Sequence, residues 1–228
     1  MVRTTKWNAV CLLVAAGLLA FAMLPALAED DGKPQEIVDS SKTTLENFAA
    51  DPDMEWFRDH IKNAKAILIV PSLVKAGFIF GGSGGSGALL ARDAKTGEWT
   101  YPAFYTMGSV TWGLQIGAEV AEVVLLVMSE AGMNSLLASS FKLGADASVA
   151  AGPVGAGAKA STADILSFSR AKGVFGGLTL EGSVISTRDG WNEEYYGKAL
   201  TPVNILVQHE VSNAQADPLR KALMAVGK

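Results

Sequence analysis

Cysteine is all but missing from this chain: Cys11 is the only one in 228 residues. That excludes an internal disulfide and a thiolate metal cluster. Histidine is nearly as scarce, and His60 and His209 stand far apart with no H-x-x-x-H or H-E-x-x-H spacing. The sequence therefore offers no metal-binding motif and implies no cofactor. Basic residues are in deficit, 19 against 23 acids, so the overall field disfavours nucleic acid and an anionic partner must be met by a local patch. No repeat of fixed period is present.

Long apolar runs are also lacking, with one exception. Arg3 and Lys6 precede a run from Ala9 to Leu24, followed by Pro25, the small-residue site Ala26-Leu27-Ala28 and the acidic Glu29-Asp30-Asp31. The run is shorter than the roughly 20 residues of a spanning helix, and its flanks read as a cleaved signal peptide over 1–28. Cys11 lies inside it, so the mature chain is expected to be exported, periplasmic or secreted, and free of thiols. Loss of 1–28 leaves 17 basic groups and the same 23 acids, a net charge of −6.

Residues 29–228 are enough for one domain with a core. In 34–64, Ile37, Ser41, Leu45 and Phe48 recur at helical spacing. Asp51-Pro52 then forms a cap with proline in the first turn of a second helix, whose face carries Met54, Phe57 and Ile61. Across 65–187 the pattern becomes AILIV, GFIF and a glycine cluster, and 21 of the 24 glycines lie between Gly77 and Gly197. Glycine at that density opposes helix and favours strands that turn tightly or approach closely. Residues 117–128 read as a strand covered on both faces, with a buried helix as the alternative that the β-branched Val120, Val123, Val124 and Val127 disfavour, and 129–140 as a short helix. Closing helices are expected over 188–228. The class is α+β: a glycine-rich, mainly antiparallel sheet curling towards a barrel, flanked by N-terminal and C-terminal helices.

Two segments alternate at period two. In KLGADASVAAGPVG, 142–155, Leu143, Ala145, Ala147, Val149 and Ala151 fall on one side of an extended chain; in SRAKGVFGGLTLEGSVI, 169–185, Val174, Leu178, Leu180 and Val184 do so. Each is expected to be one half-buried strand. With AKAILIVPSLVKAGFIFGG at 64–82 and GSVTWGLQIGAE at 108–119, they resemble the SYLF domain. This is a lipid-binding family whose eukaryotic members connect phosphoinositide membranes to actin. The resemblance runs from about Pro34 to the C-terminus and implies anionic phospholipids or a membrane surface as partner, with actin as a further partner in some members. Lys75, Arg170 and Lys172 fall where the family pattern is basic. After Gly155 the chain reads Ala156-Gly157-Ala158, where the eukaryotic members carry arginine, which argues against tight phosphoinositide specificity.

Catalytic motifs occur only by low complexity. Gly82, Gly84 and Gly87 spell G-x-G-x-x-G, but the ALLARDAKTGEW beyond them reads as the return strand of a hairpin instead of a helix. G-x-S-x-G surrounds Ser83 in a stretch that is mostly glycine. A serine hydrolase using Ser83 and His209 is the enzymatic alternative. S-x-x-K at Ser72 and K-T-G at Lys95 lack the element that belongs between them. Glu119 and Glu122 point to opposite faces of a strand and form no acid/base pair.

What remains is a set of basic residues beside turns and aromatics: Lys62, Lys65, Lys75, Lys142, Arg170 and Lys172. Lysine, arginine and free turn amides are what a phosphate headgroup needs. Trp56 and Phe57 of the leading helices are candidates for apolar membrane contact. The expectation is peripheral, non-catalytic binding of anionic lipid headgroups, phosphoinositide-like or other. An envelope scaffold or stress protein that binds another protein is the alternative binding reading.

Overall fold

Pro71 sits in a strand that has neighbours on both sides, where proline removes a ladder hydrogen bond and is tolerated essentially only at a bulge. The strand, β1 (Ala66–Gly77), supplies one: its register slips between Ile69 and Val74 against β2 (Phe80–Ala91), and between Val70 and Leu73 against β4 (Gly117–Val127). The bulge divides the sheet into a helix-covered half and a glycine-rich half. The computed structural model describes residues 34–77, 80–112, 117–152, 162–171, 174–175 and 180–227, all within one compact unit, Gly32–Lys228. Residues 1–28, read above as a signal peptide, the segment after Gly155 and Lys172 lie outside the described residues.

The remaining strands are β3 (Ala103–Trp112), β5 (Ser140–Lys142), β6 (Val149–Ala151), β7 (Ile165–Ala171), β8 (Val174–Phe175) and β9 (Val184–Thr187). The sheet runs β5-β9-β3-β2-β1-β4-β7-β6, with β8 paired to β7 off that path, and it curls into a half-barrel. All pairings are antiparallel except β6 with β7. The expected α+β class, with helices at both ends of a glycine-rich sheet, is the observed one.

Helix α1 (Pro34–Ala50) is followed by a 3-10 turn (Pro52–Met54), capped by the Asp51 carboxylate on the Asp53 amide, and by α2 (Glu55–Ile61). Their apolar stripes, Leu45 and Phe48 from α1 and Phe57 and Ile61 from α2, pack on one face of the sheet. Leu219 and Leu223 of α6 (Asp217–Val226) join them there. The other face carries Leu68, Leu89, Tyr105, Val123 and Leu125, and is closed by Leu136 of α3 (Glu130–Leu137) and by Ile205 and Leu206 of α5 (Pro202–Leu206). Helix α4 (Asp189–Tyr196) lies at the β3 end, where the Asn192 side-chain oxygen accepts from the buried Phe104 amide at 2.9 Å.

Neither alternating segment is a single strand. Residues 142–155 break after β5 at a turn, where Gly144 has φ +83°, its amide donates to the Ala147 carbonyl, and the Asp146 carboxylate accepts from the Lys142 amide. Leu143 and Ala147 are buried as expected, but Ala145 at the turn is exposed. Residues 169–185 contain the end of β7, then β8, and a second turn at Gly182, φ +85°, before β9. Leu180 is therefore buried while Val184 is exposed, and they do not share a face.

Candidate lipid-headgroup site

Of the six cations expected to bind phosphate, the five among the described residues do not form one patch. Lys142 is on the edge strand β5, whereas Arg170 is on β7 near the opposite edge. The Arg170 guanidinium is committed to Glu122, Nε to Oε2 at 2.8 Å, and Glu122 also accepts from Thr44 of α1 at 2.9 Å. This cluster ties α1 to the sheet. Lys75 stands opposite Glu119 and Ser83 in register, in the glycine-rich half. Lys62 and Lys65, in contrast, flank the α2–β1 connection at the helix-covered end.

There they meet two cations that sequence reasoning does not select. Lys65 and Arg92 are neighbours because the Arg92 amide donates to the Lys65 carbonyl at 2.7 Å. The Arg92 guanidinium donates to the Lys62 carbonyl and lies 5.1 Å from the Trp99 ring centre. Lys95 is held in the turn after β2, where the Asp93 carboxylate accepts from the Lys95 and Thr96 amides at 2.7 and 2.8 Å. Those amides, Thr96 first, hold the Asp93 carboxyl below the usual carboxylate range. Lys62, Lys65, Arg92 and Lys95 line one open cavity of about 620 Å³.

Two carboxylates share the cavity, Asp93 and Glu130, so four fixed cations leave an excess of two positive charges there on an acidic protein. Lys65 pairs with Glu130 at 2.7 Å and Lys62 with Asp59 at 3.5 Å, both half-exposed contacts of the kind that exchange readily for another anion. Met133, Leu206 and Val207 give the cavity an apolar wall. His209 lies on its rim, Nδ1 3.5 Å from Asp93 Oδ2. The arrangement suits an anionic head beside an apolar body. The signal for Arg92 and Lys95 was their position either side of Asp93 at the end of an apolar strand, but their partners come from three other segments.

The membrane-contact candidates separate. Phe57 is fully buried, edge-on to Phe48 at 5.8 Å and to Phe168 at 5.3 Å. It is a core residue and cannot reach a bilayer from the folded state, because helical spacing puts it on the sheet side of α2. Trp56, one position round the helix, is partly buried and stacks on His60 at 4.0 Å.

Ser83 and His209 do not meet. Ser83 lies mid-strand in β2, its hydroxyl 2.8 Å from that of Ser109, while His209 contacts Asp93 beyond the far end of the same strand. Nine residues from Ser83 to Arg92 correspond to roughly 30 Å of strand. Gly82, Gly84 and Gly87 likewise pair along β2 with β3, and no helix opens at Gly87. Glu119 and Glu122 sit on opposite faces of β4, as expected. Ser83→Ala should lose one exchangeable hydroxyl pair, about 1 kcal/mol of stability, with no change in vesicle binding or in esterase turnover. A drop in turnover would restore the hydrolase.

Comparison with known proteins places residues 108–226 in match with the family described as Ysc84, Las17-binding protein actin regulator. The chain is 36% identical over 171 residues to Protein YSC84 of Saccharomyces cerevisiae, covering 72% of this chain and 36% of that protein. It is 33% identical over 173 residues to LAS seventeen-binding protein 3 of the same yeast, covering 72% and 37%. For the SH3 domain-containing YSC84-like protein 1 of Homo sapiens the figures are 30% over 169 residues, 72% and 49%. The chain thus spans less than half the length of these relatives.

Proposed function

The chain belongs to the Ysc84 family, the SYLF family of actin regulators, and from that premise we propose that it docks peripherally on membranes by binding anionic phospholipid headgroups, without catalysis. The observation that carries this reading is the convergence of Lys62, Lys65, Arg92 and Lys95 on one open cavity with an apolar wall. Each lysine or arginine near an anionic surface contributes about 1 kcal/mol, so a local cluster offsets the repulsion that the protein's net negative charge imposes. The composition of residues 1–28 supports an exported setting, in which the lipid met is an envelope phospholipid.

Flotation with phosphatidylglycerol vesicles tests this. Binding is expected at low salt, to weaken towards physiological salt as the Debye length contracts to about 8 Å, and to be poor on phosphatidylcholine. Lys62→Ala, Lys65→Ala and Lys95→Ala combined should weaken binding by about 3 kcal/mol, on the order of 100-fold, while Lys75→Ala, in the other half of the sheet, should have little effect. Wild-type binding by the triple variant would overturn the reading.

A protein partner is the second reading. The name of one yeast relative, LAS seventeen-binding protein 3, records such a partner, and the glycine-rich half of this sheet leaves Val74, Val110 and Val120 exposed at 47%, 67% and 52%. Val74 and Val120 are direct cross-strand neighbours. A partner on that face would be lost in Val110→Asp with vesicle binding retained.

A further inference from the structure

His209 is the one non-glycine residue with positive φ among the described residues, at +54°. That left-handed conformation is ordinarily filled by glycine and is adopted by only a few per cent of other residues. It follows α5, where the Glu210 amide donates to the Asn204 carbonyl at 3.0 Å and returns the chain across the end of the helix. The result is an imidazole held on the rim of the cationic cavity, 42% exposed, with one face to Asp93 and one to solvent.

Resting on the headgroup reading above, we propose that His209 is a fifth ligand-contacting residue of this cavity, one that brings a positive charge to an anionic headgroup only when protonated and so makes capture pH-dependent. The charged groups facing it are Arg92, Asp93 and Lys95 around the turn after β2, Lys62 and Lys65 from the α2–β1 connection, and Glu130 from α3. On its own side of the fold stand Glu210 and Lys198, whose Nζ donates to the Glu210 carbonyl at 3.4 Å.

Asp93 is the group that decides whether the added proton reaches the ligand. Its carboxyl is bound by two backbone amides and held low, so it is ionised across the interval in which histidine ordinarily titrates. Protonation of His209 therefore adds a whole charge to the cavity, raising the excess from two to three. At 3.5 Å, the contact with Asp93 is long for a charge-assisted hydrogen bond, and the second ring nitrogen remains available to donate to a ligand. The sign is fixed by that added charge: anion binding strengthens as pH falls.

The test uses phosphatidylglycerol vesicles, whose phosphodiester keeps its charge through this range, so a change in binding reports the protein. Between pH 7.5 and 5.5 at low salt, the wild-type chain should gain about fivefold in affinity, the equivalent of one charge at the surface. His209→Gln should lose the gain, binding no more tightly at pH 5.5 than it does itself at pH 7.5. His209→Gly, which accepts the left-handed backbone without strain, should also be flat, and its melting temperature separates this loss from misfolding. His60 is the only other histidine; its Nδ1 is held on the Trp56 carbonyl at 2.7 Å, and His60→Gln should retain the pH response. A wild-type response that survives in both His209 variants, or that disappears in His60→Gln, overturns the assignment. Binding that is tight but indifferent to pH overturns it and leaves the headgroup reading standing, whereas failure to bind at either pH overturns both.

Discussion

Gly87→Val should unfold the protein or lower its stability by about 4 kcal/mol or more. An ideal Cβ at Gly87 would lie 2.4 Å from the Ile69 carbonyl oxygen and 2.9 Å from a Val70 methyl, and one at Gly85 would lie 2.4 Å from the Ser72 carbonyl oxygen. The two carbonyl oxygens are backbone atoms of a neighbouring central strand, so no side-chain rotation relieves those overlaps. The approach is that close because the bulge around Pro71 turns β1 onto β2, and both glycines are buried on the face shared with Tyr105 and Met107. The glycine cluster is thus a packing device in which the serine motif is incidental. Gly190 provides the contrast. It lies within α4 with nothing within 4 Å of an added Cβ, and Gly190→Ala should gain up to about 1 kcal/mol. Denaturant melts of the two variants would decide the point: a Gly87→Val chain that melts within a few degrees of wild type contradicts it.

The helices were legible because their signals are local. Ile37, Leu45 and Phe48 form a stripe, and Asp51-Pro52 caps the next turn, so α1 and α2 could be drawn from spacing alone. The run 117–128 was legible as a strand, but both its faces are covered only in the second half: Val123 to Val127 are buried on both parities, whereas Ala118 and Val120 are exposed. The two alternating segments misled for one reason. In an extended glycine-alanine chain, period two persists through a tight turn, and only the positive φ at Gly144 and Gly182 shows where the chain reverses. The site was half legible. Lys62 and Lys65 could be selected near a helix end, but Lys75, Lys142 and Arg170 look the same in sequence and are dispersed across the sheet by its strand order. Arg92, Lys95 and His209 belong to the cavity only because three remote connections converge on the α2–β1 junction. No periodicity encodes that convergence.

Adjacent aromatic residues on α2 should separate core from surface. Phe57→Ala removes a fully buried ring that touches Phe48 of α1 and Phe168 of β7, and deletions of this kind cost about 3–5 kcal/mol because the void collapses only in part. Trp56→Ala removes a partly exposed ring whose contacts are His60 at 4.0 Å and Phe168 at 5.8 Å. Its cost should be less than half as large, about 1–2 kcal/mol. Denaturant unfolding followed by circular dichroism measures both, and the reverse order would show that α2 is not docked by its Phe57 face. The consequence reaches the cavity, because the residue that caps α2 is Lys62, whose carbonyl holds the Arg92 guanidinium. A Phe57→Ala chain should therefore bind anionic vesicles less well even at temperatures where it remains folded. Trp56→Ala should bind with unchanged salt dependence, since it removes apolar surface and leaves every charge of the cavity in place.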